Sequence, residues 1–164
     1  FLIRHADALD ADAGMTDAER PLSEEGIEKM QKGAKGLRNI LKGNFPPLDA
    51  ILTSPLLRSV ETARIIAREV NDNEDLVECP PLGGEFSWGD LLPFLTGYPK
   101  MGRVVLVGHE PALGKLAGWL IARNEIAIPM KKGSGICFDV EEPGPDPKVE
   151  LLWFLTPKQL RGLR

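Results

Sequence analysis

The run Val104-Val105-Leu106-Val107 is apolar at every position and leads directly into Gly108-His109-Glu110-Pro111. A strand with no polar face must be covered on both sides, the condition of a parallel sheet between helical layers. The rest of the chain fits that frame. Phe1-Leu2-Ile3 reads as a strand ending on Arg4-His5, and Ala50-Ile51-Leu52 as another. Leu76 to Cys79 is a weaker strand candidate, stopped by Pro80-Pro81. Near the end, Ile136, Phe138 and Val140 alternate, as do Leu151, Trp153 and Leu155, around a Pro- and Gly-rich turn. That pattern predicts a terminal antiparallel pair.

Helices fill the gaps. After a polar loop from Asp7 to Arg20, Ser23 suits an N-cap, and Glu24 and Glu25 suit the positive end of the helix dipole. Leu22 and Ile27 can staple that start. Ile27, Met30, Ala34, Leu37 and Leu41 then share one face, and Gly43-Asn44 is expected to end the helix. Ser54-Pro55 predicts a second helix, with Ser as cap and Pro at the first helical position. Its apolar face is Leu56, Val60, Ala63, Ala67 and Val70, and Asn71-Asp72-Asn73 should break it. Phe86 to Leu95 is a short helix candidate ended near Gly97, and Pro111 opens a helix carrying Leu113, Leu116, Ala117 and Leu120. The expected fold is a single α/β domain over residues 1–164. It has a mostly parallel central sheet, helices on both faces and a C-terminal antiparallel strand pair.

In such sheets ligands gather where strands end and helices begin. The chain holds only two histidines, His5 and His109, and both directly follow apolar strands. A lone histidine after a strand is structural more often than not; two at equivalent strand ends point to a site. Arg4 precedes His5, and Arg58 lies in the first turn after Ser54-Pro55. Arginine suits phosphate because its planar fork donates parallel hydrogen bonds and stays charged. A helix N-terminus adds unpaired N–H groups. Arg64 and Arg68 recur along the same helix and are expected to be exposed.

Composition narrows the classes. The formal net charge is -4, against the cationic excess usual in nucleic-acid binders. No window approaches the ~18 apolar residues of a membrane span, no signal peptide is visible, and the chain reads as cytoplasmic. Because Phe1-Leu2-Ile3 reads as a strand already under way, a few residues are expected to precede it. Cys79 and Cys137 are not spaced as metal ligands and read as reduced, partly buried thiols. No Gly-rich fingerprint follows the first strand, which excludes a dinucleotide-binding reading. No spare apolar helix stands out, so a monomer is expected.

Three motifs at these strand ends resemble the histidine phosphatase superfamily, also called phosphoglycerate mutase-like. Arg4-His5-Ala6 stands where the family carries Arg-His-Gly. Ser54-Pro55-Leu56-Leu57-Arg58 followed by Glu61-Thr62-Ala63 matches its second signature, and Gly108-His109 its third. Arg20-Pro21-Leu22-Ser23 also fits. The order and spacing agree over nearly the whole chain, and the short length is most similar to the SixA-type phosphohistidine phosphatases.

The resemblance implies nucleophilic attack by His5 on phosphorus and a phosphohistidine intermediate. It implies that Arg4, Arg58 and His109 hold the phosphate oxygens, with Ser54 a further phosphate contact or merely a helix cap. No metal or cofactor is implied. His109 is expected to act as an imidazolium, its pKa raised above the usual ~6.5 beside a phosphate. Three carboxylates are candidates for the general acid. Glu85 lies after the third strand, where larger relatives carry theirs. Glu110 follows His109, as in the phytase-like branch, and Asp7 follows His5 by two. A phosphoramidate leaving group needs less help than an alkoxide. The implied partner is a phosphorylated protein, such as a histidine phosphotransfer domain, or a small phosphate ester. Two alternatives remain: a small-molecule phosphomonoesterase and a non-catalytic phosphate-binding module. A mutase fits less well, because little chain is available to enclose a substrate. Ala6 departs from the family glycine and would be costly only at a positive φ.

Overall fold

The computed structural model describes residues 1–12, 14–42, 48–71, 75–97, 102–124 and 126–163. Six strands among these residues form one sheet: β1 (Leu2–Arg4), β2 (Ala50–Thr53), β3 (Val77–Glu78), β4 (Val104–Gly108), β5 (Gly135–Val140) and β6 (Val149–Leu155). Their spatial order is β3-β2-β4-β1-β5-β6. The first four are mutually parallel; β5 runs antiparallel to β1 and to β6. The apolar strand β4 is central, flanked by β1 and β2, which explains why it shows no polar face.

Among the described residues, five α-helices cover the sheet: α1 (Glu24–Leu41), α2 (Leu57–Asn71), α3 (Trp88–Thr96), α4 (Ala112–Ala122) and α5 (Pro157–Gly162). One apolar core joins Met30, Ala34, Leu37 and Leu41 of α1 to Ala63, Ile66 and Ala67 of α2 and to Ile3, Ile51 and Val105 of the sheet. The other joins Leu91 and Leu95 of α3 to Leu113, Leu116 and Leu120 of α4, under Leu2, Leu52 and Leu106. Alternate strand residues thus feed opposite layers, as the two-residue period requires. No helix among the described residues is long and apolar enough to cross a membrane.

Local chemistry accounts for most boundaries. Ser23 caps α1, its Oγ accepting the Gly26 N–H at 3.0 Å. Ser87 and Asp90 form a reciprocal capping box on α3, and Pro111 flanks the start of α4. The expected stops at Gly43-Asn44 and Asp72-Asn73 lie outside the described residues. Pro80-Pro81 opens a short 3-10 turn (Pro80–Gly83) after β3. The loop after β1 holds another over Asp17–Glu19.

Two expectations need correction. Helix α2 starts at Leu57, not at Pro55, because its first turn closes on the Leu56 carbonyl, which accepts from Ser59 and Val60. Ser54 is therefore not its N-cap. Helix α5 was not anticipated; Thr156 and Gln159 cap it reciprocally, with Pro157 at its first position.

Helix α5 crosses α1 at Gly36, where a Cβ would overlap the Leu160 carbonyl. Only glycine permits that approach. Gly36→Ala is therefore expected to lower stability by about 1–3 kcal/mol, the usual cost of overpacking. Urea denaturation should show the midpoint falling; an unchanged midpoint would mean that α5 is readily displaced.

Candidate active site

Strands β1 and β4 lie side by side in register, with Arg4 opposite Gly108, so the residues that follow them are neighbours. Those residues are His5 and His109, whose ring centroids stand 4.9 Å apart at a 53° tilt. Helix α2 brings Arg58 to the same sheet end. His5 and Arg58 are buried, at 6% and 7% exposure.

Each group is held by a definable bond. His5 Nδ1 lies 2.7 Å from the Ala6 carbonyl. A carbonyl only accepts, so Nδ1 carries the proton and the neutral ring keeps its lone pair on Nε2. The Ala6 N–H donates to Thr62 Oγ1 at 3.1 Å, and that hydroxyl donates to the Arg58 carbonyl at 2.7 Å. One threonine thus couples the His5 loop to the turn that carries Arg58. Glu61 beside it accepts the Leu22 N–H at 2.7 Å. The Glu61-Thr62-Ala63 run therefore secures two ends of the loop between β1 and α1. Ala6 has no positive φ, and its methyl packs in the α1–α2 core, so the missing glycine carries little penalty.

The arginines are braced. Arg4 Nη1 donates to the Met130 carbonyl at 2.6 Å. Arg58 donates to the Asp17 carbonyl at 2.6 Å and to its Oδ2 at 3.0 Å. Asp17 also pairs with Arg20 at 2.9 Å, and both partners hold its carboxyl below the usual range, Arg20 more strongly. His109 Nε2 lies 2.8 Å from Ser54 Oγ and 3.2 Å from Ser59 Oγ. Within the site, two buried nitrogens, Arg4 Nε and His109 Nδ1, have no partner among the described residues.

The sequence candidates therefore divide. Arg4, His5, Ser54, Arg58 and His109 converge. Ser54 Oγ accepts the Leu56 N–H at 3.2 Å and meets His109, so its hydroxyl shapes the site rather than capping a helix. Glu85 is exposed and paired with Lys115 at 2.9 Å. Asp7 pairs with Lys132 at 3.4 Å and Lys29 at 3.8 Å. Glu110 accepts the Met130 N–H at 3.3 Å, and burial pushes its carboxyl pKa up. Arg64 and Arg68 are exposed, as expected. Sequence reasoning missed Asp17, Ser59 and the Met130 carbonyl. Ser59 adjoins Arg58 and was within reach of the motif; the other two carry no local signal. No group of three or more metal-ligating side chains gathers among the described residues.

Residues 1–91, more than half of the chain, match the family described as histidine phosphatase superfamily (branch 1). The chain belongs to the histidine phosphatase superfamily. It is 31% identical over 124 residues to the phosphohistidine phosphatase SixA of Escherichia coli, covering 73% of this chain and 72% of that one. Its fold is similar to a protein histidine phosphatase SixA solved with tungstate, with TM-score 0.77, 24% identity and 97% of each chain covered. It is also similar to the α-ribazole phosphatase of Shigella flexneri, with TM-score 0.66, 18% identity and 95% of each chain covered. At those identities the solved structures show the fold alone. Together with the family match, the SixA relative makes the chain a phosphatase.

In this phosphatase both imidazoles are hard to protonate. Burial, reinforced by Arg58, Arg4 and Lys132, lowers His5 to about 4, against the opposing pull of the Ala6 carbonyl. Burial, then His5 and Arg58, lowers His109 to about 3. The imidazolium is expected beside a phosphate; the protein's own groups act the other way, since burial and then the neighbouring His5 and Arg58 outweigh the pull of the Asp17 carboxylate.

A sign follows. Both histidines have folded-state pKa values below the usual unfolded ~6.5, so between about 6.5 and 4 the unfolded chain binds more protons. Stability contributed by these groups is complete above about 6.5 and lost as pH falls toward 4. Thermal melts across that window should show a falling midpoint, with a shallower fall in His109→Gln. A wild-type midpoint that rises on acidification would contradict the assignment.

Proposed function

We propose that the protein hydrolyses a phosphohistidine on a partner protein, with His5 as nucleophile and Arg4, Arg58 and His109 as the phosphate cradle. The observation that carries this reading is the pair of orphaned buried nitrogens, Arg4 Nε and His109 Nδ1, beside an imidazole whose lone pair is left on Nε2. Buried polar atoms are rarely left without partners, and a tetrahedral anion would supply acceptors for both. The substrate class comes from the SixA relative; the braced arginines support phosphoryl chemistry in general.

The steps follow from this arrangement. His5 Nε2 attacks phosphorus in line and forms a P–N bond. The P–N bond to the substrate imidazole breaks, and that imidazole leaves with a proton acquired from solvent. The arginines, braced before substrate arrives, meet the equatorial oxygens without reorganising. The dianion also reverses the electrostatics at His109, which then takes a proton and donates to it. Water next attacks the phosphohistidine, the second P–N bond breaks, and phosphate departs as the water proton passes to solvent.

Glu110 suits a positioning role better than acid catalysis. Met130 accepts from Arg4 through its carbonyl and donates to Glu110 through its N–H, so the carboxylate holds the residue that braces the arginine. Glu85 is committed to Lys115 and Asp7 to two lysines. A leaving imidazole needs no dedicated acid among them.

The test is to trap the intermediate with labelled phosphoramidate. Wild type should carry label that is stable to base and labile to acid, and His5→Ala should carry none. His109→Gln should still label but turn over about 10^2-fold more slowly, the usual loss of one transition-state donor. Phosphate binding without label or hydrolysis would favour a binding module instead. Efficient cleavage of a small ester, with phosphorylated phosphotransfer proteins left intact, would favour the phosphomonoesterase reading.

A further inference from the structure

Beside the candidate site lies a concavity of about 600 Å³, and its lining is strongly cationic. One wall is formed by Arg4, Ala6 and Asp7, the residues on either side of His5. The opposite walls come from α1 with Lys29, from the turn with Lys131 and Lys132, and from α5 with Lys158 and Arg161. Six cationic side chains therefore face one carboxylate, in a chain whose formal net charge is -4. That carboxylate, Asp7, is already shared by Lys29 and Lys132, and Lys29 is also paired with Glu25 at 2.7 Å. Lys131 and Lys158, both exposed, enter no ion pair among the described residues.

Such a concentration of like charge costs stability through self-repulsion and is relieved by an anion. The chemistry of the lining selects the kind of anion. Apart from Arg4, which is tied to Met130, and Arg161, the cations are lysines from a turn and two helices. Lysine ammonium groups are mobile point charges on long stems, without the planar fork that grips a single phosphate. Spread along a cleft, they suit several carboxylates held at variable positions. A peptide rich in Asp and Glu presents them that way.

We infer that this cleft docks an acidic segment of the substrate protein, next to its phosphorylated residue, and so sets which phosphoproteins are dephosphorylated. The inference rests on the phosphohistidine reading above and adds a recognition surface to it. Docking acts on encounter and KM, since the lysines do not touch the phosphoryl group. It should weaken with salt, as exposed charge pairs do.

The experiment compares chemically phosphorylated phosphohistidine peptides whose flanks carry either glutamates or serines. The acidic peptide should show at least a fivefold lower KM at low salt, converging with the serine peptide at 0.5 M NaCl. The double variant K131E/K158E tests the cleft directly. Lys131 is exposed on a turn, and a glutamate at 158 falls in the first turn of α5, where the helix dipole favours it. This variant should keep wild-type turnover of phosphoramidate, lose the preference for glutamates, and gain one for a lysine-flanked peptide. Equal KM values for all flanks in wild type would overturn the inference, as would a variant that slows phosphoramidate and peptides alike. If wild type cleaves phosphoramidate but no phosphohistidine peptide, the substrate reading fails instead. The docking claim is then decided by whether an unphosphorylated, fluorescently labelled glutamate-rich peptide binds wild type in a salt-sensitive way and fails to bind K131E/K158E.

Discussion

Two imidazoles and two guanidinium groups share one buried sheet end, and the surrounding structure is organised by that concentration of potential positive charge. Moving ions out of water is expensive unless they are paired. The imidazoles meet the constraint by staying neutral, with pKa values of about 4 and 3. The guanidinium groups cannot, so they are tied to carbonyls and a carboxylate: Arg4 to Met130, Arg58 twice to Asp17. Asp17 is on the long loop between β1 and α1, so bracing Arg58 requires that loop to fold back over the site. Its other anchors serve the same end. Glu61 holds the Leu22 N–H, and Arg20 donates to the Leu9 carbonyl at 2.7 Å. Asp7 O accepts the Ser23 N–H at 3.0 Å, just before α1 begins.

The sheet and most helices were legible in the sequence because they follow from local rules. β4 declared itself by having no polar face, and α1 by a serine cap followed by an apolar stripe. The terminal strand pair was visible as alternation on both sides of a turn. Where expectation and structure part, a longer-range contact explains it. Ser54-Pro55 has the composition of a helix start. Yet the serine hydroxyl faces His109, 55 residues away, and the helix begins after it. Helix α5 is six residues long, too short for periodicity to register, and only its Thr156–Gln159 box betrays it.

The candidate site was legible to the same degree. Strand ends placed Arg4, His5 and His109, and a helix turn placed Arg58, because strand–helix junctions are fixed by local sequence. The braces were not legible, since they bridge 41 residues from Arg58 to Asp17 and 126 from Arg4 to Met130. No spacing rule connects such pairs. The lowered imidazole pKa values were hidden for the same reason: they depend on how many cations and apolar groups the fold assembles around each ring.

The division between arginines and lysines around His5 has a physical logic. Charge stabilisation in a transition state works when its dipoles and charges are oriented beforehand. Arginine allows that, because its fork can be braced on one side and still present N–H groups on the other. Recognition of a partner's surface has the opposite requirement, a long-range field that tolerates variation in the partner and is not spent on internal pairs. Lys131 beside a turn and Lys158 at the start of a short helix, neither in an ion pair among the described residues, supply such a field. In the proposed reading, the braced arginines act on the phosphoryl group while these two lysines supply the field of the neighbouring cleft. The field that draws an anion in does not have to reorganise the groups that act on it.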